Sequence, residues 1–565
     1  MIQRPDLQGL RKDRLIAVVL ACCLAACSSR ESLDDQQEVI YVPDAGYHQL
    51  MAEIALQRGD YMTAAREYLN TAQQSESPET ARRATEFAYD YAYDAYALHA
   101  AERWVALQPD SRLGHTYLAQ LQFRRNELDG SFDSFEVALG PVEERVDRDY
   151  LTLATDLGRE QEFARAVAIF ERLAKRYDTS PGVWASLSLL AQQGGYEERA
   201  LQSAERAFEL APDWIRAKNI LAYALADADQ TDAGLQLMTE IRAAEPGLAS
   251  EMEYVRMLAA VGGHEVALQY IEELQEIYPE RPELIRMRGI VHLADNNIEA
   301  AVEDFTQMLM ARFNVNEGIY YLAQIQLSNE EYAEAVEMLG AIVSGPYLVP
   351  AQIAISRAYE QLGDAETGIE ELRHFAERHP RYAFDVLVPE ANLLLGMERD
   401  PEALETIEYA LIFKPDSVDL MLTKGGILDR MKQVDDAVEV FERALEIAPE
   451  DPTVLNALGY TLANNKRRYR DAHGYIKQAL ALDPDNPAIQ DSMGWVLYRR
   501  GKLEQAREYL EQAYATMADP EIAAHWGEVL WKQGEEEAAQ QLWAESLEKY
   551  PSSEPLQETM QRLMN

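Results

Sequence analysis

Nine histidines and three cysteines carry the sharpest chemistry in this chain, and their spacing argues against catalysis. The histidines are His48, His99, His115, His264, His292, His374, His379, His473 and His525. None forms the His-Glu-x-x-His pattern that sets two zinc ligands and a general base on one helix face. His374 and His379 stand five apart, off a common face, and no cysteine accompanies them. They read as scattered imidazoles, solvated or half-buried, so no metal is expected. No Gly-x-Ser-x-Gly elbow presents a nucleophile, and no phosphate-cradling or dinucleotide loop is present. With 97 Asp and Glu, some pair of carboxylates will always look like an acid and a base, which gives that signal no specificity. The sequence therefore names no catalytic residue and no cofactor, and the chain reads as a non-enzyme.

The cysteines are Cys22, Cys23 and Cys27. Residues 1–26 run from a basic segment through the apolar stretch Leu15–Leu24 to Ala25-Ala26. Basic, apolar, then small is the order of an export signal, and the apolar stretch is too short for a membrane span. Leu24-Ala25-Ala26-Cys27 resembles the bacterial lipobox. The resemblance implies cleavage before Cys27, a diacylglyceryl group on its sulfur and an acyl chain on its amine. Two such attachments make a stable anchor. Residues 27–45 then read as the lipidated cysteine and a polar tether. Ser28, where lipoproteins retained in the inner membrane often carry aspartate, implies delivery to the outer membrane, facing the periplasm. Two cysteines leave with the signal and the third becomes the anchor, so helix packing alone must stabilise the mature chain.

What would position any site is a repeat. Small residues recur at Ala65, Ala97, Ser131, Ala166, Ala200, Ala233, Ala267, Ala301, Ala335, Gly368, Ala403, Ala437, Ala472, Ala506 and Ala539. Four residues later stands a large apolar residue, as at Phe135, Phe170, Phe305, Phe441, Leu510 and Trp543. Those offsets share a helix face. Twelve or thirteen residues before the alanine a glycine is frequent (Gly289, Gly425, Gly459, Gly494, Gly527), and twelve after it a proline (Pro109, Pro212, Pro279, Pro380, Pro415, Pro449, Pro484). Two helices cross closely where both lack bulk, and proline closes one unit before the next. The pattern resembles the tetratricopeptide repeat, a helix–turn–helix unit of 34 residues. Fifteen units start near residues 46, 78, 112, 147, 181, 214, 248, 282, 316, 349, 384, 418, 452, 487 and 520. The expected fold is an all-α solenoid over residues 46–553, a superhelix of about fifteen helix pairs, with residues 554–565 as a C-terminal capping helix over its open end.

Charge narrows the partners. The formal net charge is −45, while residues 1–26 are locally basic, so the acidic excess belongs to the rest. Such a chain lacks the basic footprint that phosphate contacts need, which excludes nucleic acid as a partner. Its contact with the membrane is expected through the lipid anchor alone.

In tetratricopeptide proteins the first helix of each unit lines an inner groove. Carried over to units 13 to 15, that geometry puts Asn456, Tyr460, Asp491, Trp495, Tyr498, Glu528 and Trp531 inward, an aromatic-rich set suited to protein contact. The turns inside the last four units are basic: Arg430 and Lys432; Lys466, Arg467, Arg468 and Arg470; Arg499, Arg500 and Lys502; and Lys532. Stacking sets equivalent turns side by side, so a basic ridge is expected, able to steer an acidic partner toward the groove. The plainer reading is solvated turns whose cations suit helix C-termini.

The layout of lipobox, tether and long helical array resembles the large tetratricopeptide lipoproteins of Gram-negative bacteria, most closely at Asp491-Ser492-Met493-Gly494-Trp495 and Asp519 to His525. That resemblance implies an adaptor that brings a carboxyl-terminal processing protease together with substrates such as peptidoglycan hydrolases. The alternative is an assembly factor for a pilus, secretin or polysaccharide exporter; an envelope enzyme is a third reading that lacks a motif.

Overall fold

The computed structural model describes residues 43–465 and 468–564. Cys27 and its lipobox, and Lys466 and Arg467 of the basic turn, lie outside the described residues. Among the described residues there are 31 α-helices and no strand: fifteen consecutive helix pairs, from Ala45–Gln57 with Tyr61–Gln74 to Pro520–Gln533 with Glu536–Lys549, then a single helix Glu554–Met564. This is the all-α superhelix of helix pairs expected from the repeat. No helix among the described residues is long and apolar enough to cross a membrane.

Fourteen of the fifteen intra-pair turns, those wholly within the described residues, follow one rule. The last residue but one of each adopts the left-handed conformation, as at Gly59 (φ 74°), Ala92 (φ 61°), Asn126 (φ 60°), Glu398 (φ 59°) and Lys432 (φ 61°). That twist returns the next N–H to the helix just ended, as in Tyr93 N–H to Ala88 C=O at 2.9 Å and Glu127 N–H to Gln122 C=O at 2.9 Å. First helices are often opened by proline behind a polar cap. Asp451 Oδ1 accepts from the N–H groups of Thr453 and Val454, and Asn486 does the same for Ala488 and Ile489.

The small-residue series is the contact line of each pair. Ala166, Ala200, Ala301, Ala437 and Ala506 are fully buried. Where the residue is serine its hydroxyl finds the facing backbone: Ser131 Oγ donates to Ala119 C=O at 2.9 Å. One position corrects the sequence reading. Ala233 is exposed, and its neighbour Gly234 occupies the contact, where a Cβ would sit 2.6 Å from the Ala222 carbonyl oxygen. The glycines of the first helices have a different task. A Cβ on Gly425 would lie 2.3 Å from the Phe441 ring, on Gly494 2.5 Å from Leu510, and on Gly527 2.0 Å from the Trp543 indole. The large residue of each second helix thus seats in the space its own first helix leaves open.

Two units depart from the pattern. The second helix of unit 9 is cut to Tyr332–Leu339, and unit 11 opens with the short turns Pro380–Tyr382 and Phe384–Val386 before a ten-residue first helix, Leu387–Gly396.

The array also returns to touch itself, which the repeat did not announce. Tyr93, in the turn of unit 2, stacks on Phe413 of unit 11, with ring centroids 4.7 Å apart and planes 10° from parallel. Arg125 pairs with Asp416 at 2.5 Å, Asn126 Nδ2 donates to the Ile447 carbonyl at 3.0 Å, and Arg381 pairs with Asp90 at 3.1 Å. One apolar cluster accordingly runs from Ala88 and Tyr93 to Leu394 and Phe413. Beside this seam, Arg124 is held between Asp94 (2.9 Å) and Glu160 (2.8 Å). Burial pushes the Asp94 carboxyl upward, and the charges of Arg124 and Lys414 offset only part of that.

Candidate protein-binding site

The last three first helices, Pro452–Asn464, Pro487–Arg499 and Pro520–Gln533, lie side by side with Glu554–Met564 beyond them. Equivalent positions on neighbouring units are about one repeat apart in sequence, and their polar side chains bond across the gap. His525 Nδ1 meets both oxygens of Asp491 at 2.9 and 3.0 Å. The Trp495 indole stacks on His525 at 4.1 Å. Tyr498 donates to Glu528 at 2.7 Å, while Tyr460 reaches past unit 14 to donate to Glu521 of unit 15 at 2.6 Å. Arg562, from the final helix, donates to Glu528 at 3.0 Å and makes a second contact with the same carboxylate.

These bonds set the electrostatics. Burial alone would depress the His525 pKa, but the Asp491 charge and hydrogen bond outweigh it and the net shift is upward. Burial pushes the Glu528 carboxyl up, and the hydrogen bonds from Arg562 and Tyr498 more than reverse it, leaving it below the usual range. Burial, then the neighbouring Glu521 carboxylate, drives the Tyr460 hydroxyl well above its ordinary value.

Two clefts open on this network and share Trp495, Glu528 and Arg562. The larger, about 970 Å³, reaches from Asp400 and Asp429 of units 11 and 12, past Tyr460 and Glu521, to Glu558 of the final helix. The smaller, about 770 Å³, is walled by Arg499, Lys532 and Arg562.

The predicted groove residues divide accordingly. Tyr460 and Tyr498 are half-buried and line the clefts. Trp495, Glu528 and Asp491 are only 7%, 3% and 6% exposed, so they do not project into solvent as a groove position should. Neighbouring first helices pack closely enough to bury them: Trp495 and Glu528 form cleft floor, and Asp491 sits behind His525. Trp531 leans on Trp543 of its own unit, at 5.8 Å, and Asn456 is half-buried.

The basic ridge is broken rather than continuous. Arg430 is paired with Asp400 at 2.9 Å and Arg468 with Asp471 at 2.9 Å, while Lys432 faces the acid-rich cleft. Arg499 donates to the Tyr469 hydroxyl at 3.0 Å and lies over the Trp495 ring. Arg470, Arg500, Lys502 and Lys532 are exposed. Burial and then the charges of Arg500 and Lys502 lower the pKa of His473, which marks a concentration of positive charge in units 13 and 14. Sequence reasoning missed Arg562, although its 34-residue separation from Glu528 matches that of Asp491 and His525.

Tetratricopeptide-repeat family models match residues 388–452 and 466–524. The TPR repeat-containing protein PA4667 of Pseudomonas aeruginosa is 28% identical over 491 residues, covering 86% of this chain and 82% of that protein. The human PEX5-related protein is 26% identical over 163 residues, 27% of this chain and 26% of its own length. Among solved structures, the APC/C hetero-tetramer Cut9–Hcn1 aligns with 92% of this chain and 96% of its own at 13% identity and a TM-score of 0.35. The chain carries tetratricopeptide repeats, in an all-α array of the kind that serves as a protein-interaction scaffold.

Proposed function

We propose that this tetratricopeptide-repeat superhelix is a non-catalytic periplasmic scaffold, tethered to the outer membrane through acylated Cys27, that recruits a carboxyl-terminal processing protease and its cell-wall hydrolase substrates. The observation that carries the scaffold reading is the pair of clefts at the C-terminal end, built by several successive units over a floor already fixed by hydrogen bonds. A preorganised, aromatic-floored concavity presents contact area at little ordering cost. The tether and the compartment rest on the order of residues 1–27, and the protease connection rests on resemblance to the large lipoprotein adaptors.

The test is a crosslinking pull-down from membranes with the full-length protein, beside a Cys27→Ala variant. Recovery of a processing protease with peptidoglycan hydrolases supports the adaptor, and loss of membrane attachment in the variant supports the anchor. Recovery of secretin or pilus subunits in their place overturns the adaptor in favour of an assembly factor.

A further inference from the structure

The smaller cleft has a chemistry of its own. Arg499 comes from unit 14, Lys532 from unit 15 and Arg562 from the final helix, so three successive elements each deliver one cation to the same concavity. Glu528 is the one carboxylate in its lining, and it is already engaged by Arg562 and the Tyr498 hydroxyl. Arg500 and Lys502 are exposed on either side of Gly501, which also lines the cleft. At its floor Trp495 is 7% exposed. The cleft therefore holds cations in excess of its acids, on a chain whose formal net charge is −45.

We infer that this cleft takes an acidic segment of a protein partner, with Asp or Glu carboxylates facing Arg499 and Lys532. The surrounding acidic body adds selectivity. It disfavours an anionic segment on the acidic surfaces around the cleft, so register is set by repulsion as well as attraction. The assignment rests on the scaffold reading and names the partner chemistry of one part of it.

The probe is a short fluorescein-labelled peptide of alternating Glu and Ser, with its Gln-for-Glu counterpart, titrated by anisotropy against the full-length protein. The Glu peptide binds, the Gln peptide does not, and affinity falls with added salt. Lys532→Glu, an exposed change, weakens binding about fivefold to tenfold, as expected for reversing one charge at a partly desolvated contact. Arg470→Glu, on the turn of unit 13 and not in the cleft lining, leaves it unchanged. Absence of binding, or equal loss in Lys532→Glu and Arg470→Glu, overturns the assignment. If the peptide fails while the pull-down still returns partners, the cleft assignment falls and the scaffold stands. If the peptide binds as described and the pull-down returns nothing, the cleft stands and the scaffold reading falls.

Discussion

Adjacent glycines in one helix should respond to the same substitution with opposite signs. Gly425 and Gly426 both lie within Val418–Arg430. A Cβ on Gly425 would stand 2.3 and 2.4 Å from the Phe441 ring, against an ordinary contact of 3.4 Å or more, whereas a Cβ on Gly426 meets nothing within 4 Å. Phe441 is 3% exposed and packed in the C-terminal core, so the ring cannot retreat by the required ångström without displacing neighbours. Overpacking of that depth costs up to about 3 kcal/mol, and the gain from replacing glycine in a helix returns about 1, so Gly425→Ala should destabilise unit 12 by about 2 kcal/mol. Gly426→Ala receives only the gain, about 0.5–1 kcal/mol. Amide hydrogen exchange across Val418–Arg430 and Val434–Ile447 reads local stability without assuming two-state unfolding, which a long array does not obey. Exchange should quicken about thirtyfold in Gly425→Ala and slow about twofold to fivefold in Gly426→Ala. Pairing Gly425→Ala with Phe441→Leu should recover part of the loss. The same direction of change at both glycines would refute the packing argument.

Three more outcomes are expected. Leu556, on the final helix, is fully buried, so Leu556→Ala should cost about 2–5 kcal/mol and undock that helix, seen as rapid C-terminal proteolysis. His525 has a folded pKa raised above 6.5, so its contribution to stability is complete below pH 6.5 and is lost as pH rises through the folded value. Asp491→Asn removes the charge that holds this pKa up, so the midpoint of the His525 NMR titration should move to lower pH. Asp416 is paired with both Arg125 and Arg443, so Asp416→Arg sets three cations together and should open the seam. Small-angle scattering would then show a larger radius of gyration, partly reversed by salt; an unchanged curve would mean the seam does not depend on this pair.

The fold was legible because each unit repeats the same local solution. A small residue, followed in most units by a large apolar one four positions on, is enough to locate most pairs. The slip at Ala233 shows the limit: two small residues stand together, the period tolerates either, and only the Ala222 carbonyl opposite decides for Gly234. The site was legible in part. Tyr460 and Tyr498 fell where the groove rule put them, but Trp495 and Glu528 are covered by neighbours one repeat away, which a rule applied to one unit at a time does not see. Shifting the sequence by one period aligns Asp491 with His525 and Glu528 with Arg562, so that signal was present but unread. The stacking of Tyr93 on Phe413 has no such register, because it depends on the accumulated curvature of all the units between them.

That stack changes how the array must unfold. An open row of repeats behaves as a one-dimensional chain, in which each unit answers only to the units beside it and both ends fray. Joining unit 2 to unit 11 gives the chain a periodic boundary: units 2 to 12 form a loop of neighbours in which any local opening is felt from two directions. Units 13 to 15 lie past the junction and keep the ordinary free end, fastened by the final helix through Leu556 and Arg562. Cooperativity should therefore step down abruptly at that border, with the loop melting as one body and the cleft-bearing end melting by itself.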